Sequence, residues 1–237
     1  MEKVLIIINA EVNEQGMIVS ASPVTQKMVA ALKQGIANYS SAGTTIEVVS
    51  AANLWSKSFD TGGKGARITY CPLTIQLPES FDFPARGVYA ACKDINGRRR
   101  WVERNLGFKT SVGDSWLGHL WLPIVFTAKG TLYGEVIGEG AMPNSYEQPI
   151  DLSNRHRQSL YRLAYSLLDS LSAPSAVYLL QFSIHINEIV FDRLWPFPAA
   201  PALASLTSQQ PDLFSCHWRC LTKQPIKDLT IAGATAI

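Results

Sequence analysis

Hydrophobic positions in this chain follow two rhythms, and the changes between them divide it. Val4 to Asn9 is a short β-branched run closed by a polar turn, which predicts a buried strand. Ser22-Pro23 opens a stretch to about Tyr39 in which Met28, Val29, Leu32 and Ile36 recur at helical spacing. Thr44 to Val49 returns to a strand pattern, so residues 1–54 read as a βαβ-like unit. No glycine fingerprint follows the first strand, and dinucleotide binding gains nothing from this unit. Residues 55–86 read as a connection punctuated by Pro72, Pro78 and Pro84, with a strand near Ile68 to Leu77.

From residue 87 onward the pattern predicts a mainly antiparallel sheet. Gly87 to Asn105 reads as a hairpin, because Asn96-Gly97 suits a type I′ turn. A second hairpin across Lys129-Gly130 joins Ile124–Ala128 to Thr131–Gly138. Leu160, Leu163, Ala164, Leu167, Leu168 and Leu171 form one stripe of a helix over 153–172, which Ser153 caps and Pro174 ends. Strand runs at Ala176–Ile184 and Glu188–Leu194 follow, the second ending in Trp195-Pro196-Phe197-Pro198. The predicted class is α+β (mixed α/β): the N-terminal βαβ-like unit, then over 87–237 an antiparallel sheet crossed by an amphipathic helix.

Composition narrows the function classes. The 237 residues are 47% hydrophobic and 17% charged, enough for a substantial core. A net charge of +2 supplies no whole-molecule field for nucleic acid or anionic membrane. The run Met1 to Ile8 is too short and too weakly charged for a signal peptide, and no apolar stretch approaches the roughly 20 residues that span a bilayer. Four cysteines do not make a disulfide framework in a chain of this length. The expectation is a soluble, cytoplasmic protein.

The order strand (Tyr133–Gly138), helix, two strands and proline-containing segment over residues 133–206 resembles the C-terminal lobe of ATP-grasp enzymes. Those enzymes use ATP to activate a carboxylate for ligation. The resemblance implies ATP and magnesium as cofactors, with metal ligands on two paired strands, here Val177–Phe182 and Ile189–Leu194. The family has an acidic residue on the first strand, where this chain has Gln181. It has Glu-x-Asn at the end of the second, where this chain has Asp192-Arg193-Leu194. The implied metal ligand is therefore Asp192, and Lys93 and Lys129 are the candidate nucleotide contacts. On this reading the chain is an ATP-grasp-like protein with a degraded metal site, related to nucleotide-binding proteins or carboxylate ligases. The rival reading is a non-catalytic scaffold that docks a protein partner through Trp195–Pro201 or Trp116–Trp121.

Five further groupings carry possible chemistry, each with a simpler structural reading. Thr61-Gly62-Gly63-Lys64-Gly65 has the texture of a phosphate loop, but glycine stands where the Walker pattern needs Ser or Thr, which leaves a surface loop. Gly113-Asp114-Ser115 is similar to the nucleophile block of GDSL-type esterases, but lies mid-chain without a suitably spaced late Asp and His. Cys216-His217-Trp218-Arg219-Cys220 offers three soft ligands where zinc normally takes four, and reads as core packing. Arg98-Arg99-Arg100, joined by Arg86, Lys93 and Arg104 and interleaved with Tyr89 and Trp101, reads as a solvated hairpin face, or a minor nucleic-acid contact. Glu135 and Glu139 are a carboxylate pair only if their strand runs straight through its glycines.

Overall fold

The computed structural model describes residues 2–13, 15–40, 42–55, 67–113 and 117–231. Strand β1 (Glu2–Ile8) lies at the centre of a parallel sheet, between β4 (Thr45–Ser50) and β5 (Arg67–Pro72), and a short hairpin of β2 (Glu11–Val12) and β3 (Ile18–Ser20) intervenes. Val4 to Ile8 have no solvent exposure, which is why this strand is an unbroken apolar run rather than an alternating one. Helix α1 (Pro23–Tyr39) starts at Ser22, whose Oγ accepts from the Thr25 N–H at 3.1 Å. β5 falls in the segment read as a connection and adds the third strand.

Helices α2 (Arg86–Lys93) and α3 (Ile95–Leu106) follow, then β6 (Lys109–Thr110). This corrects the hairpin expected over Gly87–Asn105. Asn96-Gly97 lies in the first turn of α3, where the Asp94 carboxylate accepts from the Gly97 N–H at 2.9 Å and caps the helix. A Cβ at Gly97 would come within 1.9 Å of that carboxylate, so the glycine makes room for a cap rather than a turn. Gly107 ends α3 in the left-handed conformation at φ 69°.

The second sheet has seven strands: β7 (Leu120–Thr127), β8 (Gly130–Tyr133), β9 (Val136–Glu139), β10 (Tyr146–Ile150), β11 (Ala176–His185), β12 (Glu188–Trp195) and β6. Their order is β10-β9-β7-β11-β12-β6, with β8 paired to β7; every pairing is antiparallel except β12 with β6. The hairpin across Lys129-Gly130 is present, but its predicted second strand breaks at Gly134-Glu135 into β8 and β9, while the runs at 176–194 pair as β11 and β12. Helix α4 (Asn154–Ser170) covers one face, burying Leu160, Leu163, Ala164, Leu167 and Leu168 with Tyr178, Leu180 and Phe182. The opposite face, through Trp121, Val125, Val177 and Leu179, joins the core of the N-terminal unit. After a 3₁₀ turn (Ala200–Ala204) come α5 (Ser205–Ser208), β13 (Gln209–Gln210), α6 (Leu213–Leu221) and β14 (Thr230–Ile231).

Helix α6 lies in the same core as α1, and Gly35 sets how close the two approach. A Cβ there would stand 3.0 Å from Ser215 Cα, a backbone atom that cannot move aside alone. Gly35→Ala is expected to destabilise by up to about 2 kcal/mol, an overpacking cost of roughly 1–3 kcal/mol outweighing the roughly 1 kcal/mol gained in helix propensity. Urea denaturation measures it, and a stabilised variant would mean the helices separate freely.

Candidate functional site

Asp192, the implied metal ligand, sits on β12 with no solvent exposure. Its Oδ1 accepts from Arg99 Nη2 at 2.5 Å and from Arg193 Nε at 3.1 Å. Its Oδ2 accepts from the Gly118 N–H at 2.8 Å. Arg99 is itself buried, with Nε donating to the Asp192 carbonyl at 3.1 Å and Nη1 to the Gly113 carbonyl at 2.8 Å. Gln181, on the neighbouring strand β11, donates from Nε2 to the Gly118 carbonyl at 2.5 Å, and its Oε1 accepts from Trp195 Nε1 at 2.9 Å. The guanidinium of Arg193 lies 5.8 Å from the centre of the Trp195 ring. The result is a closed polar ring tying α3, Gly113, Gly118, β11 and β12 together.

Magnesium takes oxygen ligands at about 2.0–2.1 Å in near-octahedral geometry. Here the one carboxylate already accepts from three donors, two of them cationic, while Gln181 is committed at both ends and Leu194 is buried hydrocarbon. The residues present do not fit a magnesium ion. Among the described residues no three His, Cys, Asp or Glu side chains are grouped to hold a metal.

Lys93 occupies a different place. Arg86, Tyr89, Ala90 and Lys93 fall at i, i+3, i+4 and i+7 on one face of α2. With Ile75, Leu77, Pro78, Glu79 and Phe83 they line a cleft of about 240 Å³ just past the carboxyl end of β5. Open α/β sheets bind ligands at that end of their parallel strands. Arg86 and Lys93 are exposed at the cleft, whereas Tyr89 is buried and donates its hydroxyl to the Pro72 carbonyl at 2.9 Å. Burial, with Tyr178 and two thiols nearby, pushes the Tyr89 phenol well up, so it stays a donor. Lys129, exposed on the β7–β8 turn, lines a separate cleft with Lys223 and Gln224. The three residues singled out from the sequence thus occupy three locations. Gly118 was not singled out, and Arg99 and Arg86 entered only as members of the basic cluster; the α2 spacing becomes a signal only once 86–93 is known to be helical.

The remaining candidates resolve individually. Arg98, Arg99 and Arg100 do not form one basic face: Arg99 turns inward, Arg98 lies 5.5 Å from the Trp101 ring centre, and Arg100 is exposed. Glu135 pairs with Arg157 at 2.8 Å, while Glu139 is exposed on its own strand. Cys216 and Cys220 are buried on α6, burial pushing the Cys220 thiol up to about 12, and His217 accepts from the Val177 N–H at 3.2 Å. Pro196 to Ala199 and Pro201 are buried, and Trp195 is half-buried. Trp121 is buried as well, whereas Trp116, Asp114, Ser115 and the loop 61–65 lie outside the described residues.

No protein-family model matches the chain. The formate-dependent phosphoribosylglycinamide formyltransferase of Haloquadratum walsbyi is 23% identical over 194 residues, covering 77% of this chain and 48% of that protein. Its namesake in Prochlorococcus marinus is 30% identical over 109 residues, covering 45% of this chain and 28% of that protein. Among solved structures, glycinamide-RNase-transformylase T from Mycobacterium tuberculosis superposes with a TM-score of 0.66 at 14% identity, over 97% of this chain and 82% of that one. N5-carboxyaminoimidazole ribonucleotide synthetase from Thermus thermophilus gives 0.66 at 11% identity, over 97% and 81%. The chain is similar in sequence to these transformylases over part of their length and shares the fold of these solved structures, in keeping with the ATP-grasp resemblance. The likeness read from residues 133–206 extends to nearly the whole fold. The chain spans less than half the length of these curated relatives. Two further structural neighbours were solved with a nucleotide: the Staphylococcus aureus N5-carboxyaminoimidazole synthetase with ADP, and a carboxyaminoimidazole ribonucleotide synthase with ATP. Among the described residues no helix is long and apolar enough to cross a membrane.

Proposed function

We propose that this ATP-grasp-like chain binds a nucleotide or a similar phosphorylated small molecule without ligating it. The observation that carries the reading is the α2 cleft, where Arg86 and Lys93 flank the Tyr89 and Phe83 rings beyond the carboxyl end of β5. Two cations suit phosphate oxygens, and an apolar aromatic wall suits a base or sugar. The ADP and ATP complexes of its structural neighbours support a nucleotide as the occupant. The commitment of Asp192 to Arg99, Arg193 and Gly118 supports binding over phosphoryl chemistry, which relies on metal and cationic clamps at the phosphates. The burial of Pro196 to Ala199 favours this reading over docking through Trp195–Pro201.

Thermal unfolding with ATP and ADP, with and without magnesium, tests the reading. A ligand at 100-fold over its Kd stabilises by about 2.7 kcal/mol, which for a chain of this length raises Tm by roughly 5–10 °C. Arg86→Ala is expected to weaken binding roughly 10- to 150-fold, one charge-assisted hydrogen bond being worth roughly 1.5–3 kcal/mol. Lys93→Ala should weaken it less, since Lys is a point charge on a flexible stem. No shift at millimolar nucleotide in any buffer would sink the nucleotide assignment.

A further inference from the structure

We propose that the guanidinium groups of Arg99 and Arg193 balance the acidic end of β12 from within the chain, in place of the divalent cation that the family resemblance implies. The inference stands apart from the nucleotide reading and concerns the polar ring alone. Arg193 occupies the middle of the segment where the resemblance implies Glu-x-Asn, and the same side chain now donates to the carboxylate beside it at 3.1 Å. Arg99 arrives from a different element, 93 positions earlier in the chain, and contributes all three of its nitrogens to the ring.

Geometry and charge both argue against a metal sharing this place. Each Asp192 oxygen already accepts from a donor, so a cation would have to displace one or share the carboxylate with two guanidinium groups. Displacing Arg99 would leave a guanidinium with 5% exposure and no counter-charge, which is the costly half of a broken buried pair. Displacing Gly118 would free a buried backbone N–H and loosen the segment that Gln181 also holds. A metal entering without displacement would meet two like charges on the same carboxylate. Gly118 adds a steric condition, because a Cβ there would lie 2.6 Å from the Phe182 N, so the ring closes only around a glycine.

The test uses the wild-type chain freed of metal by chelation, with Mn²⁺ alone as the probe. Mn²⁺ is paramagnetic and broadens nuclear resonances near where it binds. The Trp195 indole N–H, which donates to Gln181 within the ring, is therefore the reporter, assigned with Trp195→Phe. The expected result is an indole signal unchanged as Mn²⁺ is raised to millimolar levels, and a Tm equal in chelator and in magnesium. Selective broadening of that signal at stoichiometric Mn²⁺ overturns the inference, and so does a magnesium-dependent rise in Tm that Asp192→Asn abolishes. Because no nucleotide is added, failure here is distinguishable from failure of the α2 cleft to bind one.

Discussion

Asp192→Ala is expected to lower the unfolding free energy by about 3–5 kcal/mol, the usual penalty for stranding one partner of a buried ion pair, and Tm by roughly 6–20 °C. The magnitude follows from what the carboxylate leaves behind. Arg99 stays buried with its Nη2 facing no counter-charge, and the Gly118 N–H loses its acceptor. Arg99→Met breaks the pair from the other side and should cost less, because Asp192 keeps Arg193 and the Gly118 N–H as partners. The double variant Arg99→Met with Asp192→Ala should cost less than the two single losses combined, by at least about 1 kcal/mol, because neither charge remains unpaired. Arg193 is partly exposed and can turn to solvent. The exposed Lys109–Glu188 pair is the control, 63% and 57% exposed at the side chains. Removing it should change stability little, since solvent screens such pairs and holding two long side chains costs entropy. Urea denaturation of the four-member cycle decides the matter. Single losses no larger than that of the surface control, with strict additivity, would mean that water reaches Asp192.

That pair also marks where legibility in the sequence ends. Elements whose burial imposes a period were readable from residues alone: β1 as an apolar run, α1 and α4 as stripes, β11 and β12 as adjacent strands. α3 was not, because its inward face carries Arg99 beside Val102, and a buried arginine breaks the stripe a helix would otherwise present. The Asn-Gly pair inside it suited a turn equally well. A readable signal did exist in the cap residues, Asp94 at one end and Gly107 at the other, spaced as a helix of three turns requires. No local signal could join Arg99 to Asp192, nor set β6 parallel beside β12, since both depend on how distant segments cross. The α2 cleft is similarly non-local, built from the strand-to-helix loop and one helix face. Beside Lys93, Arg86 and Tyr89 were legible only as members of a basic hairpin face, because the helical period that puts them on one side of α2 was not read.

Stability should also fall on acidification in a way that His217 dictates. The imidazole is buried on α6, where Nδ1 accepts from the Val177 N–H, which leaves the proton of the neutral ring on Nε2. Among the described residues Nε2 has no hydrogen-bond partner, and burial holds the pKa down at about 3. In the unfolded chain the same group titrates near about 6.5. Between those two values the unfolded state binds the extra proton, so stability is full above about pH 6.5 and is lost as pH falls toward 3. The gap corresponds to on the order of 4–5 kcal/mol by the acid end. His217→Leu removes the titration but leaves the Val177 N–H without an acceptor, costing about 1–3 kcal/mol at neutral pH. The variant should therefore start less stable than wild type at pH 7.5, and the gap should close or reverse below about pH 5, where the wild type carries the protonation penalty. Comparing the two chains cancels the acid sensitivity that their carboxylates share. Parallel stability curves from pH 7 to pH 4 would show instead that the imidazole accepts its proton within the fold, because α6 opens locally before the rest of the core.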